Sequence, residues 1–382
     1  MKLIIRRIRY KGVYSLFLCF LLMNCKNDRS SDLIAFDVNG HYPVKTLDIK
    51  DIASLEYFKL EINDDFVFYD FLSICDSFII CQAANEFLFF SRTTRKPISK
   101  VSRYGNGPEE YNLASVAVYS EAEDDLFILD YPVGIKVYGK DGTFKRKLPF
   151  RDRSYPGSTS ALYDYNSDYL LLYDIFQGHV NDYPSAFILI SKQDGHIKDI
   201  LIPYEEKIHL EKRTGMLISM PSTFFAVRNG KDFLLTDYSS DTVYRFNPDF
   251  KLIPALVRTP SIQRMDPKIL LHSWLETDNY LFFSTVKVEY EQGFQTKGYL
   301  MEKHSRKVYQ SNIQMSDYKG KELIIDPSVI DRTSNPQIGI IVFSSSELLT
   351  ANEENKLSGA LKEATECLDE DDEYLFMILK FR

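Results

Sequence analysis

The feature that most limits what this chain can fold into is a recurring pair of apolar strands. The stretches EFLFFSRTTRKPISKVSR, GIKVYGKDGTFKRKLPF, AFILISKQDGHIKDILIPY, TVYRFNPDFKLIPALVRT and GYLMEKHSRKVYQSNIQ each read as strand, polar turn, strand. Counted from Phe87, Ile135, Phe187, Val243 and Tyr299, they recur at intervals of 48, 52, 56 and 56 residues. A further strand–turn–strand pattern precedes each pair, so a four-stranded unit repeats at roughly fifty residues, which is the sequence signature of a β-propeller.

A sixth unit has to be assembled from both ends of the chain. Its first two strands are expected near Ser328–Arg332 and Ile338–Phe343, its third is EYLFMILKFR at the C-terminus, and its outer strand is SLEYFKLE, Ser54–Glu61. Closing the ring in this way ties the termini together and removes an open sheet edge. One helical segment is expected, Ser346–Cys367, where Leu357, Leu361, Ala364 and Leu368 recur at helical spacing. It interrupts the last blade between its second and third strands and is expected to dock on the loop-rich face. The fold class predicted is all-β: a six-bladed β-propeller of four-stranded antiparallel blades, with an N-terminal closing strand and one helical insertion.

Three stretches, DIASLEYFKLE, RYGNGPEEY and LKEATECLDEDDEYLFMILKFR, together resemble the six-bladed β-propeller lipoproteins of the Bacteroides group. That resemblance covers residues 47–382 and implies a fold and an envelope location more than an activity. The start of the chain agrees with it. Lys2, Arg6, Arg7, Arg9 and Lys11 precede the apolar run VYSLFLCFLLM, a signal-peptide pattern too short for a spanning helix. Leu22-Met23-Asn24-Cys25 resembles a bacterial lipobox, with Asn24 departing from the usual small residue, so Cys25 is the expected lipidation site. KNDRSSD after it resembles the acidic signals that send lipoproteins of that group to the cell surface. The expected organisation is 1–24 signal peptide, 25–46 lipidated cysteine and tether, and 47–382 propeller.

Removing residues 1–24 takes five positive charges from a formal net charge of −8, leaving −8 − 5 = −13. So acidic a body argues against a nucleic-acid partner, which rewards clustered Lys and Arg. Among the remaining cysteines, a turn at Asp76-Ser77 sets Cys75 opposite Phe78 and Cys81 opposite Leu72, on opposite sides of the sheet, so no disulfide is expected between them.

In a propeller, the connections from strand two to three and from strand four to the next blade share one face. Here those connections are long, whereas the hairpins of the other face, such as KDG at Lys140–Gly142 and QDG at Gln193–Gly195, are tight turns. Binding residues accumulate on long loops of a rigid scaffold. The candidates on that face are Arg103, Glu109, Glu110 and Tyr111 of RYGNGPEEY, and three Asp/Tyr pairs that end second strands: Asp130-Tyr131, Tyr173-Asp174 and Asp237-Tyr238. Tyrosine rings stack on sugar faces and aspartates accept hydrogen bonds from hydroxyls, which suits a glycan or peptide. Arg103, Arg151, Arg153, Arg213 and Arg264 beside the same connections suit an anionic ligand. The alternatives stay open: glycines that shape a crossover, aspartates that cap turns, tyrosines that pack between blades, and arginines that are solvated loop charge.

No catalytic motif stands out, and neither a cofactor nor a metal is expected. The reading is an outer-membrane lipoprotein, periplasmic or surface-exposed, that binds a ligand or serves as a scaffold, with the membrane as partner through its lipid. An alternative is a propeller lyase or hydrolase using Glu109, Glu110, Asp130 and His209 at the channel mouth.

Overall fold

In the computed structural model the described residues are 33–68, 70–114, 116–130, 134–150, 159–174, 185–208, 212–213, 216–217, 226–288, 295–323, 329, 337–369 and 372–382. The chain begins on the outside of the ring. Strand β1 (Ile34–Asp37) and strand β2 (Val44–Asp48) are followed by the short helix α1 (Ile49–Ile52) and by β3 (Ala53–Phe58). Asp48 caps that helix, accepting from Lys50 N at 2.9 Å, while the Asp51 carboxylate accepts from Asp48 N.

The blades then follow in order, each an antiparallel sheet running outward from the axis. Blade 1 is β4 (Asp70–Ile74), β5 (Phe78–Ala83), β6 (Glu86–Ser91) and β7 (Pro97–Val101). Blade 2 is β8 (Ala117–Ser120), β9 (Asp125–Asp130), β10 (Gly134–Tyr138) and β11 (Phe144–Pro149). Blade 3 is β12 (Thr159–Asp164), β13 (Tyr169–Asp174), β14 (Phe187–Ser191) and β15 (Ile197–Ile200). A two-residue-per-strand hairpin, β16 (Lys212–Arg213) and β17 (Met216–Leu217), leads to blade 4: β18 (Ala226–Asn229), β19 (Asp232–Leu235), β20 (Thr242–Phe246) and β21 (Leu252–Thr259). Blade 5 is β22 (Ile269–Glu276), β23 (Tyr280–Lys287), β24 (Gln295–Glu302) and β25 (Val308–Gln314). The last blade orders β26 (Ile338–Ser344), β27 (Tyr374–Phe381) and β3. Its innermost position falls largely outside the described residues, though Ile340 N donates to Val329 O there.

The protein is therefore a six-bladed propeller, and the five strand pairs picked out by the repeat are the third and fourth strands of blades 1–5. The tight hairpins use the turn chemistry expected, with Gly142, Gly195 and Gly230 at φ of +80°, +77° and +59°. Cys75 and Cys81 form no disulfide, and they face different core layers. A bulge at Leu72 moves the partner of Cys81 from Leu72 to Phe71.

Two expectations need correction. The folded body starts well before residue 47: β1 adds a parallel fifth strand to β21, and β2 does the same to β25. Alternation in IAFDV buries Phe36 and Val38 between blades 4 and 5, and this period-two signal was hidden by the polar residues around it. The single helix is two, α2 (Ser345–Glu353) and α3 (Gly359–Glu366). Asn355 and Gly359 adopt positive φ (+54° and +56°) and break the segment, so that Leu357 is buried in the bend while Leu348 and Leu361 pack on blades 5 and 6.

Six apolar layers fill the six seams between neighbouring blades. Residues of the N-terminal segment enter three of them: Phe36 between blades 4 and 5, Leu47 and Ile52 between blades 5 and 6, and Phe58 and Leu60 between blades 6 and 1. Removing residues 33–61 should therefore abolish the cooperative thermal transition or cause aggregation, as read by circular dichroism and light scattering. A deletion variant melting at the parent temperature would contradict this topology.

Candidate functional site

The loop-rich face carries the predicted residues, but most of their side chains point into the fold. In RYGNGPEEY the buried Tyr111 hydroxyl donates to Asn85 O at 2.5 Å and accepts from Arg103 N at 3.2 Å. Gly107 N donates to the Glu110 carboxylate at 2.8 Å, and that carboxylate fills the space where a Cβ on Gly105 would sit. The Tyr138 hydroxyl donates to Glu109 O at 2.7 Å, and Lys136 Nζ donates to Glu110 O. The loop is thus an inter-blade crossover whose carbonyls are taken up by blade 2. Arg103 is exposed, and its Nε donates to Gly142 O in the outer hairpin of blade 2. The Glu109 side chain is exposed.

Beneath that loop lies an ion pair, Lys136 to Asp130 at 3.2 Å, with side chains 6% and 1% exposed. Asp130 also accepts from Asn112 N at 2.9 Å, which fixes the end of the crossover. Removing one member of such a pair strands the other charge in a low-dielectric seam. Lys136→Ala should cost roughly 3–5 kcal/mol of unfolding free energy, measured by urea titration. A loss under about 1 kcal/mol would mean that the pair is hydrated and available to a ligand.

The second grouping comes from blades 3, 4 and 5. Tyr173, Asp174, Asp237 and Tyr238 are 1%, 1%, 6% and 2% exposed, so the pairs are mostly covered. Burial, followed by the nearby Tyr238, Asp237, Asp174 and Tyr163, pushes the Tyr173 phenol far above its ordinary value. The edge of Tyr238 meets His272 of β22 with ring centroids 6.2 Å apart. Tyr131 and His209 lie outside the described residues, as do Arg151 and Arg153, and so do the side chain and surroundings of Arg213.

Above this cluster the loops are stitched together. Asp237 Oδ1 accepts from Ser239 N at 2.8 Å, Ser239 Oγ accepts from Ile208 N at 3.0 Å, and Ser240 Oγ donates to Pro203 O at 2.8 Å. Gln263 Nε2 donates to Glu206 O at 2.6 Å, and Asp241 Oδ1 accepts from Ile262 N at 2.7 Å. The buried Arg258 guanidinium donates to Pro260 O and Ile269 O, holding the ends of the next crossover. The result is a fixed shelf that presents Tyr204, 38% exposed, with Glu205, Glu206 and Arg264. Burial and the neighbouring Asp237 raise the Tyr204 phenol above its ordinary value. Tyr204 and Gln263 escaped sequence reasoning because lone residues in long connections carry no periodic signal, and His272 because one polar residue in an apolar strand marks no site.

A family model described as a domain of unknown function, DUF4934, matches residues 33–380. The chain belongs to that family. The match starts one residue before β1, in agreement with the early entry into the fold. Among curated proteins none matches the sequence. In structure the chain is similar to a protein from Bacteroides fragilis NCTC 9343 described as exported, with a TM-score of 0.61 and 16% identity over 92% of this chain and 99% of that one. A member of the DUF4221 family from Bacteroides vulgatus gives a TM-score of 0.48 and 10% identity over 87% of this chain and 98% of the other. At 16% identity the likeness to the first of these is one of fold.

The imidazole in the described cluster is held neutral by its surroundings. Burial alone lowers the His272 imidazole from its ordinary value to about 3, so it is neutral and inaccessible at neutral pH. Among the described residues no three His, Cys, Asp or Glu side chains are placed to hold a metal ion. Because the unfolded chain takes up this proton near pH 6.5 and the folded chain near pH 3, stability from neutral His272 is complete above pH 6.5 and declines below it. Between pH 7 and pH 5 the parent should lose about 2 kcal/mol more than His272→Leu, measured by urea unfolding at both values. Equal losses would show that His272 is protonated in the fold.

Proposed function

We propose that this protein is an exported, lipid-anchored binding propeller that recognises a glycan or peptide on its loop-rich face. The observation that carries the reading is the exposed Tyr204 ring on the 203–208 loop, which hydrogen bonds to the 237–241 and 261–264 loops hold in place. A rigid amphipathic ring suits a sugar face or a peptide side chain at low entropic cost, and Glu205, Glu206 and Arg264 supply hydrogen-bonding groups beside it. The signal-peptide pattern and Cys25 support an envelope location, most simply the outer membrane, facing the periplasm or the cell surface.

The test is a glycan and peptide array probed with the mature chain, followed by titration of the best hit against Tyr204→Ala. The substitution should weaken binding by on the order of 1–3 kcal/mol while the melting temperature stays close to the parent's, since the ring is partly solvent-facing. Unchanged affinity, or an array with no hit, would count against this face.

A further inference from the structure

Strand β1 enters the ring on the outer wall of blade 4, where the Arg306 guanidinium of blade 5 donates to Leu33 O at 2.8 Å. Beside this point a cavity of about 540 Å³ opens between blades 4 and 5. It is lined by Ile253, Pro254 and Met301 together with Arg245, Lys303, Arg306 and one carboxylate, Glu276. Ile253 is 45% and Leu33 43% exposed, and Lys303, Arg306 and Lys307 are all exposed. Arg245 and Lys303 pair with Glu276 at 2.6 and 2.9 Å and Arg245 also lies 3.7 Å from Asp232, so the excess positive charge of this wall comes from Arg306 and the adjacent Lys307, on a chain of net charge −8.

Cys25 precedes Leu33 by 33 − 25 = 8 residues. Eight residues span at most about 29 Å when fully extended. A lipid on Cys25 therefore keeps the blade 4–5 wall within that distance of the bilayer. The geometry points to this basic and apolar wall as a membrane-contact surface that seats on anionic phospholipid. The inference rests on the lipid-anchor reading above and adds an orientation to it. A diacylated Cys25 fixes the chain to the bilayer but not its orientation, which a basic patch supplies, whereas the rest of an acidic body is repelled by the same headgroups. With that wall seated, blades 1 and 2 lie on the far side of the ring.

The unlipidated mature chain, residues 25–382, is co-sedimented with vesicles of pure phosphatidylcholine or of phosphatidylcholine with phosphatidylglycerol at low salt. Binding to the anionic vesicles should be at least roughly ten-fold tighter, and Arg306→Glu with Lys307→Glu should reduce it by roughly twenty-five-fold or more, about five-fold per cation. The same reversal at Lys100 and Lys147, on the far side of the ring, should change it little, and both variants should keep the parent melting temperature. No preference between vesicles, equal losses from the two double variants, or displacement by millimolar glycerol phosphate, which would indicate a soluble-anion site, overturns the proposal. Fractionation of Cys25→Ala in cells tests the anchor separately. If that variant leaves the membrane distribution unchanged while the vesicle preference persists, the lipid reading falls and the contact surface stands.

Discussion

Everything else in this molecule depends on the pairing of β3 with β27, which joins the N-terminal and C-terminal segments in one blade. Antiparallel register from Ala53↔Phe381 to Phe58↔Phe376 covers an edge that would otherwise be open. Polar contacts lock the same seam. Glu56 on β3 meets Arg92 and Arg95 of blade 1 and Lys380 of β27. Burial alone would raise the Glu56 carboxyl, but the hydrogen bond from Lys380 and the charge of the arginines bring it below its ordinary value. A ring has no end from which to fray, so once this seam is formed each apolar layer is supported on both sides.

The closed ring separates two kinds of surface. On one, glycines at positive φ reverse the chain in a few residues, and charges from adjacent hairpins pair, as Lys192 does with Glu123 across a seam and with Asp164 within its own blade. On the other, the longer connections are anchored by buried polar groups, chiefly the Asp130–Lys136 pair and the Tyr111 hydroxyl. Those groups hold loops in place. Other side chains are lifted clear by the anchored loops, Tyr204 among them. A division between buried fixing groups and exposed contacting groups lets loop sequences vary without disturbing the blades.

The N-terminal segment does more than connect. It crosses the outer edges of blades 4, 5 and 6 before the first blade begins, pairing in parallel with β21 and β25 and antiparallel with β27. Force or restraint applied at the start of the chain is therefore carried to the walls of three blades rather than to a free tail. Lys45 reinforces this path, pairing with Glu302 and standing 5.5 Å and 5.3 Å from the Tyr280 and Tyr309 ring centres.

Repeat period, strand pairing, hairpin turns and the closing strand could all be read from the chain, because each depends on neighbours a few residues apart: alternation within a strand, and Gly or Asp at a turn. SLEYFKLE reads as a strand in isolation, and its partner follows from the missing place in the sixth blade. The side-chain roles could not be read in this way. Asp130, Tyr173 and Asp237 have the residue types and loop positions of ligand-binding groups, yet each is buried. Their exposure is settled by what the next blade and its connection lay over them, as with Glu110 O and Asn112 N at the Asp130–Lys136 pair, or Ser239 N at Asp237. By itself the sequence determined the ring and its two faces, since local periodicity and turn chemistry suffice for them. Only the tertiary structure decided which polar residues became internal supports and which reached solvent, because that choice is made by packing between segments far apart in the chain.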